Sequence, residues 1–447
     1  MSFDLVLADA RLDGVAADLG IADGRIARIA AAGTLQATQT LPLGGALVIP
    51  GLVDGHIHLD KTYLGLPWRP HRPDGSVAGR IEAEKAERRA IEEPMAVRAR
   101  RLVDQIVARG TTAMRTHVDV DTEVGLDGLD ALLAVRAEVA HLCDIQIVAF
   151  PQSGVMIHPG AAGLLEEAVR AGADLVGGLD PAGIDEDIEG QLNVVFGIAE
   201  RRGVGVDIHL HDPGELGAYE LRRIAARAKA AGMQGQVAVS HAYALAMVED
   251  ATLARTAAAL AEAGVAVMTN GPGPEPILPV KRLIAEGVTV FCGSDNIRDA
   301  WSPYGNGDML ERARLVGYRA ALLTDEELRL GLDLVTALSW MSMLRSRPAS
   351  RCSSSIGPSW FTSQPSPIAT TCEKFTCRAK PPRVRRSRRS GSPIVMPQPV
   401  LWVRATTPST FGYAASGSAP VIGFRLNASA IRSATCAEQF TEVTMPM

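Results

Sequence analysis

Aromatic side chains are scarce in this 447-residue chain, at 4% of residues, although apolar residues reach 47%. A core filled mainly by Ala, Val and Leu suits helices laid over a sheet and argues against an aromatic-rich β-sandwich. Cysteine is nearly absent from residues 1–339, where only Cys143 and Cys292 occur. That excludes a disulfide framework there. No run of 18 apolar residues is present to serve as a membrane span. The opening MSFDLVLADARLDG places acids where a secretory signal needs a basic start and an apolar core. A cytoplasmic location is therefore expected, with no membrane partner.

Acidic residues are nearly missing from one region. Residues 340–447 hold 14 Lys+Arg against three Asp+Glu, with no Asp, so the net charge of −5 hides a strongly acidic remainder. The same region loses every sustained period and carries four of the six cysteines. One reading is a disordered basic tail that touches nucleic acid through the cluster from Arg383 to Arg389. The simultaneous loss of acids and periodicity, with a shift toward Arg, Ser and Pro, fits translation of a GC-rich gene in the wrong frame better. Residues 340–447 are read as an aberrant segment, and no nucleic-acid partner is expected.

The rest of the chain has a strong pattern. Residues 1–50 read as short strands, with an Asp-Gly turn inside GIADGRIARIA, and form the N-terminal part of a small, incomplete β-sandwich. From 51 to 339 buried-looking strands alternate with Ala-rich helical stretches. The strands fall at 52–58, 112–118, 145–150, 174–178, 205–210, 236–241, 265–269 and 288–294. Eight strands with helical crossovers predict an α/β fold, a (β/α)8 TIM barrel, with an open doubly wound sheet as the structural rival.

Chemistry gathers where these strands end. His56 and His58 lie two apart, so their imidazoles share one face of a strand at the C-terminal mouth of the barrel. His209, His241 and Asp295 stand at the ends of three further predicted strands. One polar strand end is unremarkable, because such a residue often bonds a loop backbone. Five at barrel-mouth positions suggest a divalent metal, which needs neutral nitrogen donors held at fixed geometry.

The motifs PGLVDGHIHLDK, MRTHVDVD, IVAFPQSG, VDIHLHD, AVSHAYA and GSDNIRDAWSPYGNGDML resemble the amidohydrolase superfamily and, within it, the cytosine deaminase group. The resemblance covers about residues 1–339. It implies one divalent metal ion, zinc or iron, held by His56, His58, His209 and Asp295, which would acidify a water for attack on a carbon–nitrogen bond. It also implies that Asp295 accepts the water proton, His241 orients the attacking oxygen and Asp212 shuttles protons. Gln152 would contact a planar heterocycle and Trp301 would wall the pocket. Binuclear members use a strand-four lysine, and ADLVGGLDP has none.

Several residues depart from the group's pattern. Asp212 stands where cytosine deaminases carry Glu, with Glu215 as a possible stand-in. Asn296 replaces an acid that faces the substrate, and an amide donates as well as accepts. His211 is an unmatched polar group. Lys61 replaces a more usual threonine and would meet an anionic substrate or be solvated. His117 is expected to be a packed core histidine. The expected activity is deamination of a nitrogen heterocycle, a cytosine-like pyrimidine or an aminotriazine. The same residues also suit a cyclic amide or N-alkylamine hydrolase, and a disrupted reading frame would give an inactive product. The expected partner is a small-molecule substrate, and a homo-oligomer is compatible with the sequence.

Overall fold

The computed structural model describes residues 2–71, 75–271, 273 and 275–336. The segment 340–447, with its arginine cluster, lies outside the described residues. Two compact units are present, whose described parts are residues 2–51 and 52–336.

The first unit is one sheet of β1 (Phe3–Leu12), β2 (Val15–Ala22), β3 (Arg25–Ala31) and β4 (Ala37–Pro42), ordered β3-β2-β1-β4. Strands β1 to β3 pair antiparallel and β4 joins β1 in parallel. Both hairpins turn on Asp-Gly: Asp13-Gly14 with φ of 49° and 82°, and Asp23-Gly24 with φ of 50° and 71°. Two consecutive positive φ angles match the twist of the flanking strands, and Asp-Gly tolerates them. Leu7, Ala10 and Leu19 bury one face against Leu43 and Ala46.

The second unit contains β5 (Leu52–Ile57), β6 (Thr111–Asp119), β7 (Asp144–Phe150), β8 (Leu175–Leu179), β9 (Gly205–Leu210), β10 (Val237–His241), β11 (Ala266–Thr269) and β12 (Val290–Cys292). They form one sheet in sequential order, with parallel neighbours. Helices α1 (Val77–Arg88) and α2 (Met95–Val107) follow β5. Then α3 (Asp127–Val139), α4 (Ala161–Ala171), α5 (Ile188–Arg202), α6 (Gly214–Ala230), α7 (Asp250–Glu262) and α8 (Val280–Ala285) link the later strands. Two more, α9 (Met309–Arg319) and α10 (Asp325–Asp333), follow β12. A parallel bridge between Ile57 and Asp295 brings the last strand back to the first. This is the expected (β/α)8 barrel, and its strand order excludes the doubly wound rival.

The closing seam is tight. Asp295 N–H donates to the His56 carbonyl at 2.8 Å, and Ser294 N–H donates to the buried Asp54 carboxylate at 2.8 Å. A Cβ on Gly293 would come within 2.6 Å of His56 backbone and Cβ atoms. Only glycine lets the two strand ends approach so closely.

Period-two alternation stacks the interior in layers. Ala113 joins Val53, Ala238, Ala266, Met268 and Phe291 in an apolar floor. On β6 the next residues on that face are Arg115 and then His117, and on β9 Asp207 is followed on its own face by His209. Polarity therefore rises toward the C-terminal mouth, where barrel enzymes place their chemistry.

Candidate metal centre

The first and last barrel strands and β9 deliver four donors to one point. His56 Nε2 and His58 Nε2 each lie 3.4 Å from Asp295 Oδ1, and His209 Nε2 lies 3.4 Å from His58 Nε2. Around a tetrahedral cation with bonds of roughly 2.0–2.1 Å, neighbouring donors sit about 3.4 Å apart. His56 Nε2 is buried and has no hydrogen-bond partner among the described residues. Burial pushes His58 and His209 below the ordinary imidazole range, toward the neutral form that binds metals. The donor set fits a divalent cation. Strand β8 reads LVGGL and offers no lysine to bridge a second one.

Backbone strain aims two of the key groups. His241, the last residue of β10, has φ 75°, and Asp295 has φ 60°. Left-handed conformations cost about 1–3 kcal/mol in residues other than glycine and gather at functional sites. His241 joins His56 and Asp295 in a second set of converging ligand atoms. Its Nδ1 lies 3.3 Å from the Tyr243 hydroxyl. The outer oxygen of Asp295 accepts from Asn270 Nδ2 at 2.6 Å.

Lys61 is neither solvated nor free to meet an anion. It is buried, with Nζ 2.9 Å from both Glu84 and Asp119 carboxylates and from Gln152 Oε1. Burial alone would lower its pKa, but Asp119 and Glu84 outweigh that and hold the ammonium above the ordinary lysine range. Glu84 also accepts from the Trp301 indole, so α1 is tied to the loop after β12. Asn296 Nδ2 donates to Asp299 at 2.8 Å. Burial raises the Asp299 carboxyl to about 7.

The structure places Glu215 away from Asp212, the residue expected at the shuttle position. Glu215 is exposed in the first turn of α6, and the carboxyl beside Asp212 belongs to Glu220. Consecutive amides hold the pair: Ala182 N–H donates to Glu220 and Gly183 N–H to Asp212, both at 2.9 Å. Burial and the Asp212 charge push Glu220 up to about 8, so the two carboxyls share a proton near neutrality. His211 Nδ1 lies 2.9 Å from Asp180, which raises its pKa against the opposing effect of burial. Its ring stacks on His241 at 4.4 Å. His117 is buried, as expected of a core histidine, but it packs 4.1 Å from the His56 ring and neither ring nitrogen has a hydrogen-bond partner among the described residues.

Comparisons with known proteins agree with this geometry. A family model described as "Amidohydrolase family" matches residues 39–354. The chain is 34% identical to N-isopropylammelide isopropyl amidohydrolase of Pseudomonas sp. (strain ADP), over 75% of this chain and 85% of that one. Among solved structures, N-isopropylammelide isopropylaminohydrolase from Burkholderia multivorans is 42% identical with a TM-score of 0.72, covering 76% of this chain and 86% of that one. The 5-methylcytosine deaminase from Klebsiella pneumoniae, liganded with phosphonocytosine, is 31% identical with a TM-score of 0.68, covering 76% and 87%. No helix among the described residues is long and apolar enough to cross a membrane. The chain belongs to the amidohydrolase family, in its cytosine deaminase-like group.

Proposed function

We propose that the chain is a metal-dependent hydrolase that removes an amino or alkylamino group from an oxo-bearing nitrogen heterocycle, a pyrimidine or a triazine. The clustering of His56, His58, His209 and Asp295, with Asp295 3.4 Å from His56 and His58 and His209 3.4 Å from His58, carries this reading. These residues would hold one divalent ion, zinc or iron, which when bound makes a water nucleophilic near neutral pH.

The protein's own groups manage the protons. Asp295, steadied by Asn270, accepts the water proton, and His241 orients the attacking oxygen. The departing nitrogen needs a proton, because an amine leaves poorly as an anion. Asp212, which shares a proton with Glu220, supplies it, and the His211–Asp180 pair stands beside His241 as a second donor.

Two amides set the substrate edge. An ammonium only donates, so Lys61 claims Gln152 Oε1 and leaves Gln152 Nε2 as a donor toward a carbonyl. Asn296 gives its Nδ2 to Asp299 and keeps Oδ1 to accept from a ring N–H. Donor beside acceptor matches a lactam edge, and Trp301 walls the pocket. The compounds named for the relatives, N-isopropylammelide and 5-methylcytosine, both bear an oxo group next to a ring nitrogen.

The test uses the purified 447-residue chain. About one metal per chain is expected, with release of ammonia or alkylamine from a panel of aminopyrimidines and amino- and alkylaminotriazines. Alkylamine release would favour the N-alkylamine reading, and ring opening would favour the cyclic amide. A folded chain without metal or turnover on the whole panel overturns the proposal.

A further inference from the structure

One histidine of the metal centre is anchored differently from the others. His56 Nδ1 lies 2.8 Å from Ser240 Oγ, and that hydroxyl lies 3.1 Å from Asp207 Oδ1. The other oxygen of Asp207 accepts from Arg115 Nη1 at 2.7 Å. Arg115 Nε and Nη2 reach Gln146 Oε1 at 3.2 and 3.0 Å. Every member is at most 2% exposed. His58 Nδ1 and His209 Nδ1 have no hydrogen-bond partner among the described residues.

Barrel interiors are ordinarily filled by branched apolar side chains. A buried ion pair gains little stability over an apolar replacement of similar shape. The polar layer under His56 therefore needs a reason other than stability, and its hydrogen-bond directions supply one. A carboxylate has no proton to give, so Ser240 must donate its hydroxyl proton to Asp207. The hydroxyl oxygen then accepts, and the proton it accepts is on His56 Nδ1. A neutral imidazole carries one N–H, so Nε2 is left with its lone pair. Arg115 gives no acceptor alternative and fixes the polarity of the chain from its far end.

We infer that Arg115, Asp207 and Ser240 form a positioning relay that locks His56 in the Nδ1–H tautomer and aims Nε2 at the cation, so that the relay sets metal affinity. The inference rests on the metal-centre reading given under Proposed function. Outer hydrogen-bond partners of ligating histidines typically contribute 10–100-fold to metal affinity. Asp207→Asn has a sharper consequence. Its amide oxygen stays on Arg115, its NH2 donates to Ser240, and the hydroxyl proton turns toward His56 Nδ1, which moves the imidazole proton onto Nε2.

The experiment is chelator competition for Zn2+ on the full chain, with the melting temperature of the metal-free protein measured in parallel. Ser240→Ala is expected to bind Zn2+ about 10–100-fold more weakly, with a metal-free protein that still unfolds cooperatively at a somewhat lower melting temperature. Ser240→Thr, which restores a hydroxyl, is expected to recover most of the affinity. Asp207→Asn is expected to bind more weakly than Ser240→Ala. Zn2+ affinity within twofold of wild type in both Ser240→Ala and Asp207→Asn overturns the relay, as does a loss that Ser240→Thr does not repair. No Zn2+ binding by the wild-type chain sinks the metal-centre reading itself, and the relay with it.

Discussion

The two sides of the barrel mouth solve opposite problems. On the histidine side, buried nitrogens of His56, His58, His117 and His209 have no hydrogen-bond partner among the described residues, and His56 joins two triads of converging ligand atoms, one with His58 and His209 and one with His241 and Asp295. On the lysine side, Lys61 reaches Glu84, Asp119 and Gln152 at once. Buried polar groups are normally satisfied within the protein. A side left unsatisfied is shaped for something brought from outside, whereas a satisfied side holds its neighbours in place. The same barrel rim would thus hold both a receptor and its scaffold.

Removing a donor from the receptor side gives the largest expected effect. His209→Ala should lower kcat/KM at least ~10³-fold, or about 4 kcal/mol, with loss of bound metal by elemental analysis and little change in metal-free melting. Lys61→Met breaks the scaffold instead. Glu84 and Asp119 are left buried and unpaired, so urea unfolding should show a loss of about 3–5 kcal/mol. If Lys61→Met leaves stability intact and removes only activity, the division between receptor and scaffold is wrong.

Gln152 sits between the two sides and sharpens the contrast. Gln152→Leu should reduce kcat/KM about 10–100-fold while metal content stays constant, because a substrate carbonyl loses one buried donor. Equal turnover by the variant would remove Gln152 from the substrate edge.

The last expected effect concerns pH. Glu220 has a folded pKa of about 8 against an ordinary 4.5, so the folded state binds the extra proton between those values. Stability from this group is fully present below about 4.5 and is lost as pH rises through about 8. Glu220→Gln keeps the neutral shape, so it should melt with wild type near pH 4 and above it at pH 9, where the wild-type carboxyl has lost its proton. Parallel melting curves across that range would show that Glu220 does not hold the proton.

Much of this architecture was legible in the sequence because buried parallel strands are short apolar runs, and each predicted strand lies within two residues of an observed one. The donors were legible because His56, His58, His209, His241 and Asp295 stand where those runs stop. Partnerships across the barrel were not, since His56 and Ser240 are 184 residues apart. Lys61 read as solvated or facing an anionic substrate because nothing local announces that Glu84 on α1 folds over it. Glu215 and Glu220 differ by five residues, or about 140° on a helix, and only the folded helix shows which one faces Asp212. Asn296 and Gln152 were legible as polar residues, but the direction each amide points depends on Asp299 and Lys61.

The bridge between Ile57 and Asp295 couples synthesis to chemistry. All three imidazoles belong to the chain by residue 209, yet the single carboxylate, Asp295, follows the last strand at the bridge that joins it to the first. A chain interrupted before that strand would own most of the coordinating atoms and none of the geometry. The proposed metal centre is therefore complete only when the two ends of the sheet meet.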